Sequence, residues 1–405
     1  MAGTTTIVGL MSGTSLDGVT AAAVRFTPRE QGAVSAELLG WHTTPYSRVQ
    51  RERLVAAMQR ASPAEYCRLR VDIAHWFADA ATGLMSHLGL GTGDVDAIAS
   101  HGQTIWHEPG HSSWQVGDPA TIAERGGVAV VHDFRSRDIA AGGEGAPLVP
   151  IADRLLFAHP TRWRALQNLG GMGNVSAIPP GGASVGVSAF DTGPGVAVID
   201  AVVRRLWPSL THDVDGLLAA RGTAVEPVVE ASLAHPFFST PPPRSTGREQ
   251  FGVEYADRLM AGCRLHAPDC SDEDMVATAV AVTARSIGDA YRRWLPTAVH
   301  EVVLSGGGAR NRALVAAIAA AVEPRSVVLF DTLFFDGEAK EAVAFALLGH
   351  LYLTGQPGNV PSATGARAAR VLGSYTPGRA SDRSVPPRRA ESGDAGDRRV
   401  GQEVE

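Results

Sequence analysis

Apolar and polar positions along the chain fall into a rhythm that occurs twice. Residues 5–11 (TTIVGLM) form an apolar run, followed by a small polar loop (SGTSLDG) and a second apolar run (VTAAAVRF). This pattern reads as strand, glycine loop, strand. Leu54, Met58, Leu69, Ile73 and Phe77 then recur near helical spacing and predict a helix over 51–89. The short buried run DAIAS leads straight into HGQTIWHEPG, and GVAVV at 127–131 predicts another strand. A long loop follows, polar and then glycine-rich (HDFRSRDIAAGGEGAPLVP). At Arg162 the pattern restarts: RALQN, LGGMGN and VSAIPP again read as strand, loop, strand. AFDTGPG ends a strand and opens a helix over 196–207, and a long helix is predicted over 275–295. VHEVVLSGGGARN repeats the logic of DVDAIASHGQ, and EAVAFALLGHLYL is a final helix.

Alternating strands and helices predict an α/β protein whose ligand loops lie at the carboxyl ends of strands. The repeated rhythm predicts two halves of related design, with domains at 1–160 and 161–345 and a closing segment at 346–375. Residues 376–405 contain six Arg, six Asp or Glu, three Pro and no Phe or Trp. Such a stretch has too little apolar surface to fold alone and is expected to be a disordered tail.

Composition removes several function classes. With 36 Lys+Arg against 42 Asp+Glu, the formal charge is −6, which argues against a nucleic-acid partner. No apolar run reaches the ~20 residues of a membrane span, and no basic residue precedes Arg25 as in a secretory signal. Cys67, Cys263 and Cys270 are few and unevenly spaced, which suits reduced thiols and a cytoplasmic location. Lys340 is the only lysine in the chain. It lies in DGEAKEAV, so no G-x-x-x-x-G-K-[ST] phosphate loop exists.

Four glycine-rich strand ends carry the candidate chemistry. In SGTSLDG, Gly13, Thr14, Ser15, Leu16, Asp17 and Gly18 offer N–H and hydroxyl donors to phosphate oxygens, and Asp17 offers a carboxylate to Mg²⁺. A plain hairpin connection is the open alternative. In FDTGPG, Asp191 stands at a strand end ahead of a helix N-terminus, where a general base, a metal ligand or an Asx-turn residue would fit. Three successive glycines in LSGGGARN permit close backbone approach to a ligand, and Asn311 breaks the dinucleotide pattern. The Arg125–Asp138 region reads as a charged surface or as arginine forks for an anion. HEPGH at 107–111 matches H-E-x-x-H, but Pro109 and Gly110 predict a turn rather than the helix a zinc site needs.

Taken together and in order, GLMSGTSLDG, SHGQTIWHEP, QVGDPATIAE, DFRSRDIAAGGEGAPLVP, NLGG, FDTGPG, PPPRSTGRE and LSGGGARN resemble the anhydro-N-acetylmuramic acid kinases over residues 5–373. The resemblance implies an actin-like ATPase fold: two duplicated ribonuclease-H-like α/β domains with a nucleotide cleft between them. It implies ATP with Mg²⁺ as phosphoryl donor and an amino sugar, 1,6-anhydro-N-acetylmuramic acid, as acceptor in peptidoglycan recycling. By the same resemblance Asp191 is the base that activates water, and Glu341 is a second catalytic carboxylate. Gly13–Gly18, Gly170, Gly171, Gly193, Gly195, Gly306, Gly307, Gly308 and Asn311 belong to the nucleotide. His101, Gln103, Asp118, Arg135 and Asp138 belong to the sugar. Oligomeric state is left open, with a homodimer as one expectation. Rival readings are a regulatory ATPase of the same fold and an ATP-independent glycoside hydrolase. The chain departs from the family pattern at Thr20, Glu144 and Arg244, and it carries Gly171-Met172-Gly173-Asn174 where GIAN is usual.

Overall fold

In the computed structural model, residues 3–29, 33–183 and 186–379 are described. The first half contributes strands β1 (Thr5–Ser12), β2 (Gly18–Pro28), β3 (Val34–Pro45), β4 (Ala97–Glu108), β5 (Ser112–Val116) and β6 (Val130–His132). The second half contributes β7 (Trp163–Leu169), β8 (Met172–Ile178), β9 (Ser188–Pro194), β10 (Val299–Ser305) and β11 (Ser326–Leu329). β12 (Ser374–Thr376) returns to the first sheet beside β6.

The two sheets share one topology. The first runs β3–β2–β1–β4–β6 and the second β9–β8–β7–β10–β11. In each, the first three strands form an antiparallel meander, and the next two add parallel to its first strand. This is the duplicated ribonuclease-H-like arrangement that an actin-like fold requires. Parallel strands need crossover helices. Between β3 and β4 these are α1 (Arg48–Gln59) and α2 (Pro63–His87). Around β6 lie α3 (Pro119–Gly126), α4 (Ser136–Ala140) and α5 (Pro150–Leu156). The second half inserts α6 (Ala197–Leu206), α7 (Glu226–Leu233), α8 (Val253–His266) and α9 (Asp272–Trp294) before β10. α10 (Arg312–Ala321), α11 (Phe330–Leu333) and α12 (Lys340–Leu353) follow.

Several expectations need correction. The single helix over 51–89 is two, because Ser62 caps a new helix by accepting from Glu65 N and Pro63 takes its first position. β3 went unpredicted because it is a sheet edge whose residues are only partly buried, so no clean alternation marks it. HEPGH forms the turn between β4 and β5, so His107 and His111 share no helical face. α12 crosses the expected boundary at 345, packing on β1, β2 and β4 of the first sheet. Its residues from Ala342 to Leu351 are buried all round, as befits a helix with protein on every side. The expected tail begins inside the fold: Thr376 ends β12, and Arg379 pairs with Glu124 at 2.9 Å. Residues 380–405 lie outside the described residues.

One core cluster belongs to the first half and another to the second. A third joins them: Ile7, Phe26 and Val131 with Leu166, Ile178, Val303 and Phe330, threaded by α12. The halves therefore meet over a shared apolar joint.

Candidate active site

The loops with candidate chemistry follow the carboxyl ends of β1, β7 and β10, and the His101 segment lies within β4, the parallel neighbour of β1. Ligand sites of α/β sheets form at this edge. In the first loop Thr14, Ser15 and Asp17 are exposed, and their side chains have no hydrogen-bond partner among the described residues. Leu16 is buried with φ of 58°, its N–H donating to Gly13 O at 3.2 Å and its carbonyl accepting from Arg51 Nε at 3.1 Å. The turn is thus held from behind while its hydroxyls and carboxylate face water. That arrangement fits a phosphate chain and a Mg²⁺ ion, which takes few protein ligands. Gly18 packs against the backbone of Thr44 and Pro45, so it shapes the turn.

Behind this loop Gln103 is fully buried. Its Oε1 accepts from Ser12 Oγ at 2.6 Å and from Tyr46 Oη at 3.4 Å, and its Nε2 donates to Gly13 O at 3.3 Å. Tyr46 also donates to Ser12 Oγ at 2.9 Å, and burial pushes its phenol up to about 12. Gln103, expected on the sugar, braces the 13–18 loop from behind.

His101, Arg135 and Glu341 come together. His101 is buried; its Nδ1 lies 2.8 Å from Gly102 O, and Arg135 donates to its Nε2 at 2.8 Å. Burial and the Arg135 charge hold this imidazole well below its usual range, so it is neutral, with Nδ1–H donating and Nε2 accepting. Arg135 also donates to Gly145 O at 2.7 Å, and burial brings it down to about 10 against the pull of Glu341 and Asp138. Glu341, in the first turn of α12, is exposed to water although protein surrounds it closely. That enclosure raises its pKa, and Lys340 and Arg135 oppose the rise.

Two other expected sugar ligands are spent within the fold. Asp118 caps α3, accepting from Thr121 N at 3.0 Å and from Arg70 at 2.5 Å. Asp138 is fully buried and accepts from Gly145 N, Asn359 Nδ2 and Thr364 Oγ1 at 2.7–2.9 Å. It ties the glycine-rich loop to the C-terminal segment. The departures from the family pattern are also accommodated. Glu144 is exposed, and Thr20 pairs across the strands with Thr43 at 2.8 Å. Arg244 donates to the carbonyls of Asp191, Phe237 and Thr240, and its guanidinium lies over Phe190 and Phe237.

On the second sheet Asp191 lies in β9 opposite Asn174. Thr246 N–H donates to its Oδ2 at 2.8 Å. Burial pushes its carboxyl up to about 6, and the Thr246 bond and the Arg244 charge limit the rise. It is therefore an ionised carboxylate at neutral pH, but a far stronger base than a free aspartate. The next residue, Thr192, is fully buried and accepts from Gln167 Nε2 at 3.2 Å, and Gln167 Oε1 accepts from Tyr291 Oη at 3.2 Å. Thr283 Oγ1 donates to Gly195 O at 3.0 Å. The long helix α9 thus pegs the strand end on which Asp191 sits.

The N-terminus of α6 is not a free anion site. The N–H groups of Gly195 and Ala197 donate to Gly171 O, and that of Val196 to Gly170 O. Gly170 and Gly171 therefore serve first as a stitch between the β7–β8 turn and α6. Gly193 has φ of 136° and faces Phe238. Gly306, with φ of 84°, has no space for a Cβ beside Asn168 and Leu169, and Gly308 packs against Leu169 and Val196. Gly307 faces open space. Asn311 caps α10 through Leu314 N at 2.9 Å. A cavity of about 510 Å³ opens between α6 and α8, lined among others by Ala197, Arg204, Arg248, Tyr255 and Arg258. Arg248 reaches it from PPPRSTGRE, the motif that was the only sequence signal for it, and it also lies beside Gly171. Burial pushes Asp200, on α6 near Arg204 and Arg248, up to about 6.

The family model for anhydro-N-acetylmuramic acid kinase matches residues 5–378. The chain belongs to that family. It is 40% identical to an anhydro-N-acetylmuramic acid kinase of Caldanaerobacter subterraneus subsp. tengcongensis, over 91% of this chain and 96% of that one. It is 45% identical to that of Gloeobacter violaceus, over 92% and 99%. Among solved structures, component A of the (R)-2-hydroxyglutaryl-CoA dehydratase of Acidaminococcus fermentans aligns with a TM-score of 0.44 at 12% identity, covering 85% of this chain and 97% of that one. At that distance the likeness adds nothing to the strand order already described.

Proposed function

We propose that the protein opens the 1,6-anhydro ring of 1,6-anhydro-N-acetylmuramic acid by adding water and phosphorylates the freed O6 from ATP, giving N-acetylmuramic acid 6-phosphate and ADP. Family membership supports the reaction, and one structural observation carries the residue assignment. Asp191 is a carboxylate tuned to about 6 by burial, pegged from behind and sitting at the ligand edge of its sheet. A general base works best with a pKa near the working pH. In this reading Asp191 takes a proton from water as the water oxygen bonds C1 and the C1–O6 bond breaks. The proton stays on the carboxylate. Glu341 and Arg135 lie on the facing half, with His101 held neutral as an acceptor for Arg135.

ATP supplies the phosphoryl group that O6 accepts. The loop 13–18 would hold its phosphates, with the Gly306–Gly308 turn and the cavity beside Arg248 toward the nucleoside. Mg²⁺ would sit against Asp17 and offset phosphate charge. Of the expected sugar ligands, His101 and Arg135 remain in the site, while Gln103, Asp118 and Asp138 hold its frame. Among the described residues no helix is long and apolar enough to cross a membrane, and the reading places the reaction in the cytoplasm.

Coupled measurement of ADP release tests this reading. Release should require the anhydro-sugar, because the acceptor O6 exists only once the ring opens. Equal rates with and without sugar would favour the regulatory ATPase. Sugar hydrolysis without ATP would favour the glycoside hydrolase.

A further inference from the structure

Of the 36 basic residues of the chain, 35 are arginine, and the single lysine is buried. Lys340 opens α12, and its Nζ lies 2.9 Å from Asp153 Oδ1 on α5; the two side chains are 9% and 3% exposed. The ammonium also stands 5.4 Å from the ring centre of Phe330 and 5.8 Å from that of Phe157. Phe157 ends α5 and stacks edge-on with Phe330 at 4.9 Å. Its carbonyl accepts from Arg164 on β7. Phe330 follows directly on β11.

This nest therefore draws on α5, on β7 and α11 of the second half, and on the helix that packs against the first sheet. A compact ammonium fits between two aromatic faces and one carboxylate oxygen. Successive helix positions point about 100° apart. With Lys340 turned into the joint, Glu341 is turned toward Arg135 and the cleft, and the Lys340 charge is felt at Glu341.

We propose that Lys340 is a positioning residue. Clamped by Asp153, Phe157 and Phe330 at the joint between the halves, it fixes the first turn of α12 and so sets where Glu341 stands in the cleft. The inference rests on the reading of Glu341 as a working carboxylate.

The test uses the full chain with Lys340→Met, Glu341→Gln, their combination, and Lys340→Met with Asp153→Asn. The last pair removes both buried charges at once. It keeps the test sound if Lys340→Met alone unfolds by leaving Asp153 unpaired. Misplacing a working group by an ångström costs about 10²-fold, so kcat should fall by roughly 10- to 10²-fold in the charge-free pair, with KM for ATP nearly unchanged. A folded Lys340→Met protein should show the same loss. Combining Lys340→Met with Glu341→Gln should cost little more than Glu341→Gln alone, because one acts through the other.

Wild-type kcat in the charge-free pair, or losses that multiply in the combination, would overturn the inference while leaving the reaction intact. Wild-type turnover in Glu341→Gln would instead remove the role of Glu341, and that of Lys340 with it.

Discussion

The two halves of the molecule have the same sheet, and each hides the same device behind its glycine turn. In the first, Gln103 joins Tyr46, Ser12 and the carbonyl of Gly13. In the second, Gln167 joins Tyr291, Thr192 and the carbonyl of Asn168. Both glutamines are fully buried, and both spend their amides on neighbouring backbone. What the clamps hold differs. The first steadies an exposed turn of hydroxyls beside a carboxylate that has no partner among the described residues. The second steadies a strand end bearing a half-buried carboxylate with a raised pKa. In the proposed reaction, a repeated scaffold thus leaves one half to bind an anion and the other to move a proton.

The largest break in that comparison is Asp191→Asn. Asn keeps the Thr246 N–H bond but cannot take a proton, so kcat should fall by roughly 10²–10⁴-fold. Nucleotide affinity should change little. Stability should hold or rise, because a charge that burial disfavours is gone. Turnover, ATP binding and denaturant unfolding measured on one preparation check all three. Near-normal turnover would leave Asp191 as a turn residue only. Weakened binding of Mg·ATP, rescued by extra Mg²⁺, would make it a metal ligand.

The pH profile sharpens the same point. A base at about 6 should give kcat/KM an acid limb near pH 6, roughly tenfold down per unit below it. The stability term of Asp191 runs the other way. Its folded pKa lies above the unfolded value of about 3.9. Its contribution is therefore complete below pH ~4 and is lost as pH rises through about 6. Activity should fall with acid in a range where this residue favours the fold, so an acid limb without unfolding is the expected pattern. Asp200 is also pushed up to about 6, and Asp200→Asn is the control that should leave the limb in place.

The duplicated topology was legible because core strands and glycine turns leave strong local marks, as TTIVGLM-SGTSLDG and RALQN-LGGMGN do. Asp191, proposed as the base, also stands in a compact motif that the sequence alone marks. What was not legible depends on partners far along the chain. Asp138 looked like a sugar ligand, yet its acceptor sites are filled by Asn359 and Thr364, more than 200 residues away. Gln103 likewise sits in a loop-like motif, and only the fold brings Ser12 and Tyr46 to it. The helix end after FDTGPG promised free N–H donors, and the β7–β8 turn takes them.

The smallest predicted effects compare the clamps directly. Tyr46→Phe removes one donor, but Gln103 Oε1 keeps Ser12, so the cost should be near that of one net hydrogen bond, about 0.5–1.5 kcal/mol. Tyr291 is the only donor to Gln167 Oε1 among the described residues, so Tyr291→Phe leaves a buried carbonyl unsatisfied and should cost about 1–3 kcal/mol. Denaturant unfolding measures both. Function should separate them the other way round in kind. Tyr46→Phe loosens the phosphate-side turn and should raise KM for ATP a few-fold with kcat kept, whereas Tyr291→Phe loosens the strand end under Asp191 and should lower kcat a few-fold with KM for ATP kept. If both variants moved the same kinetic constant, the clamps would serve general stability alone, and the division of labour between the halves would have to rest on the exposed groups instead.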